Sequence, residues 1–220
     1  NKKSKKETVA FDNNGVCSAC NYAINKETVD WDVRDKMLRE LCDRHRRDDG
    51  RYDCIVPGSG GKDSIYVSHL LKNEYGMHPL TITWSPHIYT EWGRKNFDSW
   101  IHGGQDNILI TPNGKIHRLL TRLAFDFLFH PFQPFIFGQK SLAPKIAAAM
   151  DIPLVFYGEH EAEYGSAVEN NDDSVQDNKF YSNISFEDMY RSGVPVKEII
   201  EDFGVDKSEL QPYMPVDENI

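Results

Sequence analysis

The sequence predicts an α/β domain built on a doubly wound parallel sheet. Two observations carry that reading. After residue 50 short apolar runs of strand length alternate with segments of helical period, and strands alternating with helices pair in parallel through right-handed crossovers. The glycine loop after Val56, Trp84-Ser85-Pro86-His87, Thr111-Pro112-Asn113 and Gly158-Glu159-His160 fall where the apolar runs end, which in such sheets is the side on which ligands sit.

Taken in order, residues 1–50 form an N-terminal arm. Its first 30 residues are polar and turn-rich, with Asp12-Asn13-Asn14-Gly15 as a turn signal. Trp31 to Arg47 reads as an amphipathic helix with Trp31, Met37, Leu38, Leu41 and Cys42 near one face. The charged stretch Arg46-Arg47-Asp48-Asp49-Gly50 ends it as a linker. The sheet domain spans 51–165. Strand Asp53–Val56 leads to a helix over 61–75, strand Pro79–Trp84 to helix Glu91–Ile101, and strand Asn107–Thr111 to helix Lys115–Phe129. Helix Leu142–Met150 precedes strand Pro153–Tyr157. Residues 166–220 form a C-terminal extension. Asn170-Asn171-Asp172-Asp173-Ser174 reads as a mobile loop, and 185–203 as a helix anchored by Met189, Val196, Ile199, Ile200 and Phe203.

Composition narrows the class. With 25 basic and 34 acidic side chains in 220 residues the formal charge is −9, which speaks against a nucleic-acid partner needing a basic face. The basic run Lys2-Lys3-Ser4-Lys5-Lys6 reads as a solvated tail. There is no apolar run long enough for a membrane span and no visible signal peptide. Four cysteines are too few for a disulfide framework in a chain of this length, so a reducing, cytoplasmic setting is expected. The chain opens on Asn1 rather than Met, and its true N-terminus is expected to lie upstream.

The run Val56-Pro57-Gly58-Ser59-Gly60-Gly61-Lys62-Asp63-Ser64 is the most informative stretch. It joins a strand to a helix N-terminus, where free N–H groups and adjacent glycines suit a phosphate. Ser59 and Ser64 add hydroxyls, Lys62 a positive charge, and Asp63 a carboxylate able to hold a divalent ion. It is not a Walker A loop: the glycine expected five residues before the Gly-Lys pair is Val56, and Asp63 follows the lysine. The string Ser-Gly-Gly-Lys-Asp-Ser resembles the PP-loop of ATP pyrophosphatases, which implies ATP binding and pyrophosphate release.

Other candidates are weaker. Glu159 closes the fourth strand and should face the same crevice as Lys62, either as a second Mg²⁺ ligand or nucleophile-orienting group or as an exposed loop residue. Thr90 reads as the N-cap of a helix carrying Glu91, Arg94 and Lys95. Arg94 and Lys95, with Glu91 beside them, are candidate contacts for an anionic substrate or phosphate, although a charged first helical turn explains them. Cys17-Ser18-Ala19-Cys20 has the spacing of half a zinc site with no second pair following it. Cys42 is read as core and Cys54 as a strand residue. Phe125, Phe127, Phe129, Phe132, Phe135 and Phe137 are expected to be buried at a helix–turn–helix junction, with base stacking as the alternative.

A narrower resemblance rests on several stretches in order: Phe11 to Cys20, Trp31-Asp32, Tyr52-Asp53-Cys54-Ile55, the glycine loop, Thr90-Glu91-Trp92-Gly93-Arg94-Lys95-Asn96, and Tyr157-Gly158-Glu159. Together they resemble the bacterial N-acetyl sugar amidotransferases, over about residues 9–165. That family serves surface-polysaccharide, O-antigen and flagellar-glycan pathways, including pseudaminic-type sugars. The resemblance implies a HUP-like PP-loop fold with ATP and Mg²⁺, an acetamido sugar as substrate, and ammonia from a separate glutaminase through a channelling partner. It implies that Ser59, Gly60, Gly61, Lys62 and Ser64 hold phosphates, that Asp63 holds Mg²⁺, and that Lys62, Asp63 and Glu159 serve catalysis. Family members carry a further CxxC before the Gly-Val-Cys-Ser-Ala-Cys motif. Here that stretch has no cysteine, which puts zinc at Cys17 and Cys20 in doubt, and the family's C-terminal portion looks incomplete. Two other readings stay open: a PP-loop tRNA-modifying ligase or thiolase, disfavoured by the lack of any cysteine after Cys54, and a regulatory module that binds ATP without chemistry.

Overall fold

A computed structural model describes residues 10–159 and 189–216. The chain forms two compact units, one containing the N-terminal residues to Arg44 and the other His45–Glu159 with the C-terminal segment. In the first, Phe11 bridges Cys17, and helices α1 (Ser18–Glu27) and α2 (Trp31–His45) follow. The turn is built by Asp12, whose Oδ1 accepts from the N–H groups of Asn14 and Val16 at 2.9 Å and whose Oδ2 accepts from Asn21 Nδ2 at 3.0 Å. Helix α1 is not expected from the polar composition; Cys17 starts it, its sulfur accepting from Cys20 N–H at 3.4 Å. Helix α2 buries only Cys42 among its residues, while Trp31 is 66% exposed and Met37 is exposed too. The expected apolar face is thus open at Trp31 and Met37, while Leu38 and Leu41 are half-buried beside Cys42.

The second unit holds a parallel sheet of four strands flanked by helices. Strands β1 (Cys54–Pro57), β2 (Pro79–Trp84), β3 (Asp106–Ile110) and β4 (Leu154–Val155) lie in the order β3-β2-β1-β4. Helices α3 (Lys62–Asn73), α4 (Glu91–His102), α5 (Gly114–Leu128) and α6 (Gln133–Ala149) connect them. β1 pairs with β2 from Cys54↔Pro79 to Pro57↔Ile82, and with β4 through Ile55↔Val155. The chain steps from β1 to β3 in one direction and then returns to the other side of β1, so order reverses between β1 and β4. Such a reversal opens a crevice beyond the carboxyl ends of the two strands.

Buried Asp53 ties the entry of β1 to its neighbours: Oδ1 accepts from Arg47 N–H and Oδ2 from His78 N–H, each at 2.7 Å. The core joins Ile55, Leu80, Ile82 and Trp84 of the sheet to Leu120 and Leu123 of α5 and Leu142, Ala143 and Ala147 of α6. A Cβ on Gly138 would fall inside the Trp84 indole, so α6 crosses the sheet at a glycine.

Several expected boundaries move. α6 begins nine residues before the expected Leu142. Pro134 lies in its first turn, where the missing N–H costs nothing, and Pro144 sits inside the helix. β4 pairs over two residues rather than five. The expected helix over 185–203 splits at its described part: β5 (Tyr190–Arg191) and β6 (Val194–Pro195) form an antiparallel hairpin, and α7 is Val196–Phe203. Ser192 and Gly193, at φ 58° and 81°, make the tight turn, which needs both central residues left-handed. Met189, Val196 and Ile199 are buried as expected, but Phe203 is exposed. α8 (Lys207–Leu210) carries a capping box between Asp206 and Glu209, and the 3-10 turn Gln211–Tyr213 follows. Val194, Val196, Ile199, Leu210 and Tyr213 all enter the sheet's core. The expected loop at 170–174 lies outside the described residues.

The phenylalanine cluster corrects an expectation. Phe125, Phe127, Phe129 and Phe132 are exposed, Phe129 to 83%; only Phe135 and Phe137 pack partly on the core. Helix α5 ends at Leu128 with Phe129 left-handed at φ 53°, and its buried stripe runs through Ile116, His117, Leu120, Leu123 and Ala124 instead.

Candidate functional site: the glycine loop at the β1–β4 reversal

The loop follows β1 directly, and its glycines have different reasons to be glycine. Gly58 N–H donates to Ile82 O at 2.9 Å, and a Cβ on Gly58 would collide with the Ser64 side chain. Gly60 is buried at φ +81°, and a Cβ there would stand 2.7 Å from Phe97 Cα and 2.9 Å from Phe97 N. Packing against α3 and α4 therefore demands both. Gly61 is another case. Its φ is −74° and ψ 165°, extended values open to any residue. It is exposed, and the nearest atom to an added Cβ is Ser59 Oγ at 3.8 Å. Nothing in the fold asks for glycine there.

Gly61 is also the N-cap of α3 and offers no side-chain cap, so the first-turn N–H groups face out with the positive end of the helix dipole. Lys62 and Asp63 occupy that turn, with Lys62 Nζ 2.7 Å from Asp63 Oδ1. The Ser64 hydroxyl donates to Gly61 O at 3.1 Å and the residue is buried, so its hydrogen serves the loop rather than the open side. Ser59 is exposed.

The loop after β4 closes on this turn. A Cβ on Gly158 would stand 2.9 Å from Asp63 C, 3.1 Å from Ser64 N and 3.2 Å from Asp63 Cβ. Gly158 therefore lets the chain reach the first turn of α3, and exposed Glu159 comes next. The structure brings Ser59, Gly60, Gly61, Lys62, Asp63, Ser64 and the backbone of Glu159 to one edge of the sheet. His160 and Glu161 lie outside the described residues.

Helix α4 adjoins the loop through Phe97. Its Thr90 cap forms as expected, Oγ1 accepting from Gly93 N–H at 3.0 Å. Glu91 pairs with Lys95 at 2.6 Å, and Arg94 with Asp98 at 3.0 Å while its guanidinium lies 5.6 Å from the Tyr89 ring centroid. These are exposed i,i+4 pairs of the kind that contributes little stability. Arg94 and Glu91 are thus engaged within their own helix.

In the first unit, the hydrogen bond from Cys20 N–H holds the Cys17 thiol below its usual range, and the neighbouring Cys17 pushes Cys20 up. No group of three metal-ligating side chains occurs among the described residues; a structural zinc site takes four.

Comparisons add little. No family model matches the chain. It is similar to an uncharacterized protein of Methanocaldococcus jannaschii, 27% identical over 77 residues, which is 35% of this chain and 27% of that protein. The chain thus spans about a quarter of that relative's length in the match. No described helix is long and apolar enough to cross a membrane.

A second cluster escapes any reading by short motifs. After β2, His87 Nδ1 lies 3.1 Å from His117 Nε2, and His117 Nδ1 lies 2.9 Å from the Tyr213 hydroxyl. The residues come from three separate segments. The signals in the sequence are His87 in the turn Trp84-Ser85-Pro86-His87 after β2 and His117 on the apolar stripe of α5, three residues before Leu120 and seven before Ala124. Burial first, then the nearby His87, lowers the His117 imidazole from 6.5 to about 4. A histidine held neutral in the folded state takes up its proton only in the unfolded chain between those two values. Stability therefore falls as pH drops through the window. Urea unfolding is expected to give a stability on the order of 2 kcal/mol lower at about pH 5 than at about pH 7, a loss that His117→Gln reduces.

Proposed function

We propose that this chain is an ATP-dependent ligase of the N-acetyl sugar amidotransferase kind, its sheet domain a HUP-like PP-loop ATP pyrophosphatase. Gly61 carries the reading: the one loop glycine that packing does not require stands uncapped at a helix N-terminus, where a Cβ would meet only an incoming ligand. That space fits a polyphosphate, with backbone N–H groups, Lys62 and the Ser59 hydroxyl as donors.

Asp63, whose backbone Gly158 approaches, and Glu159, the next residue, would hold Mg²⁺, which would neutralise phosphate charge on departure. The acetamido oxygen of the sugar attacks the α-phosphorus of ATP. The bond to the bridging oxygen breaks, and pyrophosphate leaves against Lys62 and the first turn of α3. Ammonia then adds to the activated carbon, the carbon–oxygen bond to AMP breaks, a proton is released, and an acetamidino group remains. Arg94 and Glu91 would reach the sugar only by exchanging their present partners. A separate glutaminase with a channelling protein would supply ammonia, in the cytoplasm where ATP and reduced thiols are available.

The test is pyrophosphate release from ATP and Mg²⁺ with ammonium and a panel of acetamido sugars. Sugar-dependent release, with a product lighter by the difference between O and NH, is the expected result. ATP binding with no release on any sugar would overturn the ligase assignment.

A further inference from the structure

We propose that His87 is a substrate-positioning residue, locked as its Nε2–H tautomer and donating that hydrogen to an uncharged oxygen of the acceptor sugar. The inference rests on the sugar-substrate reading above and adds the place where the sugar sits.

The lock follows from the polarity of the chain of bonds. Tyr213 is 1% exposed, and among the described residues His117 Nδ1 is the hydroxyl's hydrogen-bond partner. A buried hydroxyl hydrogen left unpaired is costly, so the hydroxyl donates and His117 Nδ1 accepts. A neutral imidazole carries one hydrogen, so His117 bears it on Nε2 and donates to His87 Nδ1. His117 is neutral well below neutral pH. His87, accepting at Nδ1, then carries its own hydrogen on Nε2. The reverse polarity would turn the Tyr213 hydrogen away from its partner.

The surroundings of His87 choose the ligand. It is exposed and follows the carboxyl end of β2, the ligand side of the sheet. Phe132 stands edge-on at 5.8 Å between centroids and Phe135 tilted at 5.3 Å, with Phe132 58% exposed. Among the described residues the ring of His87 thus packs against His117 and two phenylalanines, none of them a charged side chain. An ionised phosphate or carboxylate would lose hydration there against apolar rings. A pyranose keeps its C–H face on the rings and presents a hydroxyl oxygen to a single fixed donor, the usual makeup of a small-molecule site.

The experiment uses the full chain labelled with ¹⁵N-histidine, read by long-range ¹H–¹⁵N correlation and assigned with His87→Gln and His117→Gln. Near neutral pH both rings are expected to be protonated at Nε2 alone. N-acetylglucosamine should shift His87 Nε2, and ATP with Mg²⁺ should not. A hydrogen on His87 Nδ1, or no shift with any acetamido sugar that stimulates pyrophosphate release, overturns the inference and leaves the ligase assignment standing. If no sugar stimulates release, the ligase assignment fails, and the absence or presence of the shift still decides the subsite. In kinetics, His87→Leu is expected to raise the sugar KM roughly 5–10-fold, the worth of one neutral hydrogen bond, with the KM for ATP unchanged. His87→Gln, which keeps a donor, should recover part of that loss; an equal fall in kcat with an unmoved sugar KM would also overturn it.

Discussion

Lys62→Ala is expected to lower sugar-dependent pyrophosphate release by about 100-fold or more, the usual cost of deleting a group that stabilises charge in the transition state. The same change should barely move stability. The Lys62 side chain is 90% exposed and its ion pair with Asp63 lies at the surface, where such pairs contribute about 0–1 kcal/mol. Thermal unfolding beside the pyrophosphate assay separates the two effects. A variant that folds normally and releases pyrophosphate at the parental rate would remove Lys62 from the mechanism.

Gly61→Ala makes the complementary case. Its backbone angles suit alanine and a Cβ there meets nothing closer than 3.8 Å, so folding stability should change by no more than about 1 kcal/mol. ATP affinity, measured by calorimetry, should fall about 10- to 100-fold, the worth of a lost charge-assisted hydrogen bond, because the new methyl would stand where the proposed phosphate meets the first turn. Gly60→Ala should do the opposite. A left-handed φ and a Cβ 2.7 Å from Phe97 Cα are expected to cost about 1–3 kcal/mol of stability. Equal affinity losses at equal stability in the two variants would contradict the division of labour between packing and binding.

Where a local rule determines the outcome, the sequence reads well. Strand β1, the glycine loop and α3 follow from an apolar run, a breaker and a helical period, and Thr90 caps α4 as its side chain predicts. Reading fails where distant partners decide. The helix–turn–helix junction expected near the phenylalanines does form, with Pro131 in the turn after α5 and Pro134 in the first turn of α6, but the start of α6 at Gln133 is missed. The phenylalanines of 125–132 look like core, but the helix turns His117 and Leu120 inward and leaves those rings outside. Residues 190–195 share apolar content with the helix after them, and the Ser192-Gly193 turn makes them a hairpin. The His87–His117–Tyr213 chain has no local signature because its members meet only through the tertiary fold.

Tyr213 and Leu210 complete a core whose strands are made much earlier in the chain. During synthesis β1, β2, α5 and α6 leave the ribosome before the segment 189–216, so the core they share with Leu210 and Tyr213 stays incomplete until that segment has been translated. Contacts of such long sequence separation slow folding and leave apolar surface open to aggregation or chaperone capture. The same late docking sets the tautomer of His87, so a nascent chain halted before Tyr213 could form its glycine loop yet lack the fixed donor. On the proposed function, the phosphate loop would thus be complete before the sugar subsite, in the order in which the chain is made.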